Sequence, residues 1–296
     1  MSATEKQRAM PGLIASMVLF GTIGVFIRGT AMPSGVIAMA RGLLGAAFLL
    51  LSARIRGRRG SLASVRKNAV LLLLSGLVLG MNWILLFEAY RYTTVATATV
   101  CYYLAPVLVV LTSPLFLGER LTLRKILAAA AAFTGMLFIS GVTSAGLPAP
   151  AELRGVLQGV GAACFYAGVM ILNKRMPPMD AYDRTAGQLA GAGITLIPYC
   201  LLTARPGGGA FAPISLIMLL IVCVVHTGIA YLLYFGAMEH LSGQSVSMMG
   251  YIDPVVAVLC SALILREPIT SRSLIGMALI LGAAAVSELP GKKQQT

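Results

Sequence analysis

Apolar runs of roughly 20 residues, the length a helix needs to cross a hydrocarbon core, recur from one end of the chain to the other. Pro, Gly or a short charged loop closes each run. The pattern predicts ten spans, near residues 11–29, 34–52, 69–90, 94–117, 124–142, 155–173, 184–203, 213–236, 243–265 and 272–289. The longest linker, "ARIRGRRGSLASVRKN", reads as a basic loop, and none is long enough for a separate soluble domain. Only 11% of residues are charged and 58% are hydrophobic, where soluble domains carry about 25% charge. The chain therefore reads as an all-α membrane protein of ten transmembrane helices.

The net charge of +13 matters through its placement. With the N-terminus in the cytoplasm, sixteen Lys and Arg residues fall inside, among them the cluster from Arg54 to Lys67. Six fall outside: Arg28, Arg91, Arg154, Arg205, Arg266 and Arg272. This bias predicts a multi-pass protein of the cytoplasmic (inner) cell membrane with both termini cytoplasmic. Loop charge of this kind gives no basic soluble domain, so no nucleic-acid partner is expected. The first apolar run lacks a small-x-small cleavage pattern and is expected to be a retained span. Five cysteines lie in apolar runs without CxxC spacing, which predicts neither a metal site nor a disulfide framework.

The two halves repeat one another. "CYYLAPVLVVLTSPLFLGERLTLR" aligns without a gap on "MMGYIDPVVAVLCSALILREPITSR", so that Tyr103 meets Tyr251, Pro106 meets Pro254, Ser113 meets Ser261 and Glu119 meets Glu267. The offset is constant (267 − 119 = 148). "LLFEA" and "LYFGA" pair at the same offset upstream. Five spans per copy is an odd number, so the second copy is expected in the opposite orientation, giving two inverted five-helix repeats at 11–142 and 155–289. Inverted repeats are a common construction of secondary transporters, with the substrate site near the midplane between them.

The motifs "P…LGERLT…G" closing span four and "P…LREPIT…G" closing span nine resemble the EamA domain. Two such domains in tandem are characteristic of the ten-helix drug/metabolite transporter superfamily, and the resemblance covers nearly the whole chain. It implies a central cavity among spans 1–4 and 6–9, with spans 5 and 10 at the periphery. It also implies transport of a small organic solute. Members export amino acids, metabolites or toxic compounds, and other branches exchange nucleotide-sugars or phosphorylated sugars. The second copy departs from the first in having Arg266 and Pro268 around its Glu, where the first has Gly118 and Arg120.

Charges inside spans are costly and therefore informative. Asp253 lies inside span nine beside Pro254, which removes a helical donor. Carboxylate and bent helix together suggest a cation, amine or proton site, or a buried pair with Arg41. Arg41 in span two reads as a cavity cation or as a residue fixing two helices. Glu88 reads as an ion pair with nearby Arg91 or as a proton-coupling group, and mid-span His226 as a helix-bridging hydrogen bonder or a proton exchanger. Asn82, Trp83, Tyr102, Tyr103, Tyr166, Tyr231, Tyr234 and Tyr251 lie in the spans assigned to the cavity and are expected to line it or to pack. Pro106 and Pro254 mark paired helix breaks. Glu119 and Glu267 are expected to place charge at the N-terminus of the helix that follows each.

The expected activity is secondary transport, as an exporter of an amino acid or amine-bearing metabolite, with membrane lipid and protons as further partners. A facilitative uniporter or anion exchanger, and a non-transport scaffold or scramblase, remain as alternatives. No GxxxxGK[ST], HExxH or GxSxG motif occurs, so no cofactor, metal or enzymatic activity is expected. Small-residue faces on spans 5 and 10 serve either bundle packing or a dimer seam, which leaves the oligomeric state open.

Overall fold

The computed structural model describes residues 3–58, 60–118, 121–139, 149–238, 240–241 and 249–288. They form helices and connecting turns, with no strand among the described residues. The first half contains α1 (Ala3–Gly29), α2 (Ser34–Ile55), α3 (Leu62–Lys67), α4 (Ala69–Tyr92), α5 (Val95–Tyr102), α6 (Ala105–Leu117) and α7 (Leu123–Ile139). The second contains α8 (Pro150–Arg175), α9 (Ala181–Thr203), α10 (Pro213–Cys223), a π turn (Val224–Ile229), α11 (Ala230–Met238), α12 (Ile252–Leu263) and α13 (Ser271–Glu288).

Among the described residues, seven helical stretches are long and apolar enough to cross a membrane. They correspond to the expected spans one to four and six to eight. The other three expected spans correspond to α7, α12 and α13, which fall short of that length and hydropathy among the described residues. α7 has 17 residues and opens on Arg124 and Lys125, α12 has 12, and the apolar part of α13 runs Ser271–Ala283. Span nine is short because its helix restarts at Ile252, and the beginning of the expected span lies outside the described residues. The basic loop after α2 is also more ordered than expected: it contains α3, whose first turn is capped by the Ser61 side chain accepting from the Ser64 amide at 3.2 Å.

The helices carry their largest apolar side chains outward as well as inward. Leu201, Leu202 and Leu263 are among the most exposed, as a hydrocarbon surround favours. Packing follows the repeat. α1 lies on α11 and α12, as its counterpart α8 lies on α4 and on α5–α6. α2 packs on α9, and α7 pairs with α13 at one side of the bundle. Exchanging the two halves maps these contacts onto themselves. The α2–α9 contact is very close: a Cβ on Gly42 would overlap the backbone of Gly193 and Leu189. Small residues permit this approach, which supplies dispersion contact where lipid removes any hydrophobic drive for helix association.

Both copies break at equivalent points. α5 ends at Tyr102 and α6 begins at Ala105 with Pro106 in its first turn. α12 begins at Ile252 with Pro254 in its first turn. Both copies also end in a left-handed residue, at Gly118 (φ 69°) and at Arg266 (φ 52°), which the 148-residue offset superimposes. Glycine adopts this conformation freely, whereas the Cβ of arginine is crowded there.

The strained turn aims Glu267. Its carboxylate meets Arg28 at 2.7 Å, accepts from the Val95 amide at 2.8 Å and accepts from the Ser261 hydroxyl. Arg28 also donates to the Thr93 carbonyl at 2.6 Å. Glu267 therefore does place charge at a helix N-terminus, but at that of α5, not at that of the following α13. The reason is tertiary: α12 packs against α5, which brings the end of one repeat onto the start of a helix in the other. Glu119 lies outside the described residues.

Arg266 is exposed and is the only non-glycine residue at positive φ among those described. Arg266→Gly should relieve about 1–2 kcal/mol of crowding against about 0.5–1 kcal/mol of added chain entropy, for a net gain of up to about 1 kcal/mol. Melting of the purified protein, followed by tryptophan fluorescence, should move upward. Gly118→Ala should move it downward, and an unchanged or lower melting temperature for Arg266→Gly would show that the turn is not strained.

Candidate functional site

A cavity of about 440 Å³ lies between the two repeats. Its wall is drawn from α1, α2, α4, α5, α6, α8, α11 and the Gly250–Asp253 turn, with no contribution from α7, α9 or α13 among the described residues. One face of α4 supplies Leu79, Trp83, Phe87 and Tyr90, spaced at whole helical turns. Tyr102, Tyr103 and Tyr166 form a contiguous aromatic group, with Tyr102 and Tyr166 at 5.0 Å between ring centroids. Across the cavity Phe20 packs on Tyr231 at 5.3 Å and on Tyr234 at 6.3 Å. Such walls offer flat apolar faces with hydroxyls at the rim, suited to amphipathic solutes.

Among the described residues two charged side chains reach the wall, one of each sign. Asp253 sits in the first turn of α12, where exposed amides and the helix dipole favour a carboxylate. The Tyr103 hydroxyl lies 3.0 Å from its Oδ2 and 3.0 Å from the Gly250 carbonyl, and its single proton serves one of them at a time. Arg41 comes from α2. Its Nε donates to the Thr227 hydroxyl oxygen at 2.7 Å, and its guanidinium lies over Trp83 at 4.4 Å and near Phe87 at 5.9 Å. Among the described residues no carboxylate is within ion-pairing distance of Arg41. The sequence left pairing with Asp253 or Glu88 open, and the structure has neither.

Nine of the ten residues expected to contact substrate line the cavity: Arg41, Trp83, Tyr102, Tyr103, Tyr166, Tyr231, Tyr234, Tyr251 and Asp253. Pro106 lines it too. Asn82 does not. It is fully buried and donates to the Ala162 carbonyl at 2.7 Å, joining α4 to α8. Glu88 points away toward Arg91, at 3.9 Å. His226 lies in the π turn, where Nε2 meets the Thr22 hydroxyl at 3.0 Å and the ring packs on Phe26 at 4.7 Å. Pro254 is buried behind the wall.

The wall also contains Met17, Phe20, Tyr90, Thr99 and Met170, which sequence reasoning did not single out. Tyr90 was within reach, since it falls two turns after Trp83 on the same face. Thr99 likewise lies one turn before Tyr102 and Tyr103, and it meets the Tyr90 hydroxyl at 3.2 Å. Nothing local marks Thr227, which is brought to Arg41 by packing of the π turn on α2.

Asn82 thus acts as a staple between helices. Asn82→Ala should cost about 0.6–1.7 kcal/mol, the range of interhelical hydrogen bonds in membranes. A lowered melting temperature for the purified variant is the expected result, and no change would remove that role.

Comparison with known proteins supplies the family. The EamA-like transporter family matches residues 7–141 and 153–288, which together are most of the chain. An uncharacterized transporter of Bacillus subtilis (strain 168), YxxF, is 32% identical over 260 residues, covering 87% of this chain and 82% of that protein. Protein PecM of Dickeya dadantii is 26% identical, covering 73% of this chain and 72% of its own length. A solved crystal structure covers 95% of this chain and 97% of its own with a TM-score of 0.63 at 21% identity, a likeness of fold alone. By the family match and the Bacillus relative together, this chain belongs to the EamA-like transporter family and is a multi-pass membrane protein.

Proposed function

We propose that this protein is a secondary active transporter that exports a small organic metabolite, such as an amino acid or amine-bearing compound, across the cytoplasmic membrane. In this reading ten spans form two five-helix repeats inserted in opposite orientations, with both termini cytoplasmic. The two repeats rock about a shared cavity to expose it to one side and then the other. The single observation that carries the reading is an aromatic cavity between repeats that holds a carboxylate and a guanidinium which are not ion-paired with one another. A charge inside the bilayer is kept where it has work to do.

Asp253 takes the amine of a solute or the exchanged proton. The charged and titratable groups facing the same space are Arg41, Tyr90, Tyr102, Tyr103, Tyr166, Tyr231, Tyr234 and Tyr251. Asp253 is the one carboxylate among them. Energy comes from that gradient or from exchange, since the sequence has no nucleotide-binding loop. Anion exchange is a second reading, favoured by one observation: Arg41 has no carboxylate partner among the described residues.

Uptake into proteoliposomes with an imposed proton gradient, across a panel of amino acids, amines and organic anions, tests this directly. Asp253→Asn should lower gradient-driven transport by about tenfold or more, the equivalent of one charged hydrogen bond. The variant should still melt cooperatively. If it transports normally across the accessible pH range, Asp253 neither binds the amine nor carries the proton.

A further inference from the structure

We infer that the cavity contains a subsite for the anionic head of its solute, formed by Arg41, and that Thr227 on the π turn is the residue that positions it. The inference rests on the transport reading of the cavity and names the solute chemistry that reading leaves open: a carboxylate carried on a compact apolar body.

The starting point is an imbalance. Arg41 is only 6% exposed, yet no carboxylate among the described residues pairs with it. Asp253 is the one acidic residue on the cavity wall among those described, and it already accepts from the Tyr103 hydroxyl. A guanidinium taken out of water without an anion is poorly compensated by a hydroxyl and an aromatic face. The cavity thus lacks a negative group at Arg41, whereas its own carboxylate has a neutral donor.

The geometry around Arg41 fixes which atoms remain available. The Trp83 ring covers one face of the guanidinium at 4.4 Å, and Nε is spent on Thr227. That leaves the two terminal nitrogens of this wall residue without a protein acceptor among the described residues. Two parallel N–H groups in a plane match the two oxygens of a carboxylate. Stacking on tryptophan sets the plane of the fork, and the Nε bond sets its rotation.

Thr227 fulfils the second task because of the π turn. Its hydroxyl donates to the Val222 carbonyl, five residues back, at 3.0 Å. The proton being committed there, the oxygen presents a lone pair to Arg41 Nε. In an α-helix a threonine would bond back four residues and point elsewhere on the helix circumference. The inserted residue rotates Thr227 toward α2, which approaches closely at Gly45, where a Cβ would overlap the Thr227 side chain. π turns recur at functional sites for this kind of re-aiming. Thr227 is fully buried and does not line the cavity, so it acts through Arg41 alone.

Three probes with one skeleton separate the possibilities: 3-phenylpropionate carries the carboxylate, phenethylamine the amine, and phenylalanine both. Melting of the purified full-length protein is followed as each is titrated, because a ligand of the folded state raises the melting temperature with concentration. In the wild type, 3-phenylpropionate and phenylalanine should stabilise, and phenethylamine, held at Asp253 alone, should stabilise less than either. Arg41→Gln should abolish the effect of 3-phenylpropionate. Thr227→Val, which keeps the shape and removes the acceptor, should weaken the apparent affinity for 3-phenylpropionate by about tenfold, and Thr227→Ser should restore it. A purely structural Thr227 would lower the melting temperature of the free protein without changing that affinity. Stabilisation by phenethylamine equal to or above that by 3-phenylpropionate overturns the subsite, as does persistence of the 3-phenylpropionate effect in Arg41→Gln or the absence of any effect from all three probes. Should Arg41→Gln fail to fold, the Val and Ser pair at position 227 decides on its own. Binding in detergent requires no transport, so carboxylate binding without liposome uptake would sink the transport reading and leave the subsite standing.

Discussion

The architecture turns on how closely α9 approaches α2 and α4. Side chains larger than hydrogen at Gly42 or Gly76 would collide with the α9 backbone, so these helices touch main chain to main chain. In lipid no hydrophobic drive brings helices together, and dispersion over such smooth faces takes its place. The contact also fixes rotation. Successive residues on a helix point about 100° apart, so seating Gly42 on α9 turns Arg41 toward α4 and the Trp83 ring. Arg41 owes its position to its neighbour having no side chain.

Polar groups elsewhere are confined by the same solvent. Those buried in the helices mostly return to their own backbone, as Ser16 and Ser75 do, or bridge one helix to another, as Asn82 and Gln188 do. In the cavity a carboxylate with a phenolic donor faces the same space as a guanidinium that no carboxylate among the described residues pairs with. An aromatic wall raises the strength of both by excluding water. Asymmetry between two charges, rather than the mere presence of charge, is what makes the site chemically selective.

The two copies share their backbone and differ in their chemistry. Pro106 and Pro254 restart helices at matching points, and the left-handed turn recurs at Gly118 and Arg266. At the position next to each proline, however, the first copy has Ala105 and the second Asp253. The first copy makes its turn with glycine, while the second retains an arginine at some cost and uses the turn to lock Glu267 onto Arg28 and α5. Duplication supplied a symmetric frame, and single substitutions gave its ends and its cavity separate duties.

Much of this was legible in the chain. The spacing of apolar runs gave the helices, because hydrocarbon permits little else. The 148-residue offset gave the repeat, and the rarity of charge in spans drew attention to Arg41 and Asp253. The aromatic residues of the cavity followed from the spans that carry them, although Tyr90 and Thr99 needed their helical face to be traced. What sequence spacing could not supply was direction. Asn82 and Trp83 are adjacent, yet one staples α8 and the other stacks on Arg41. His226 and Thr227 are adjacent as well, but one turns to Thr22 and the other to Arg41. Glu267 meets a helix 172 residues away in the chain. Hydropathy reports whether a residue leaves water, and so the sequence by itself determined which segments enter the membrane and which charges stand out there. Which neighbour each side chain meets depends on helix rotation and on the extra residue of a π turn, and these are set by contacts between distant segments that only the tertiary structure decided.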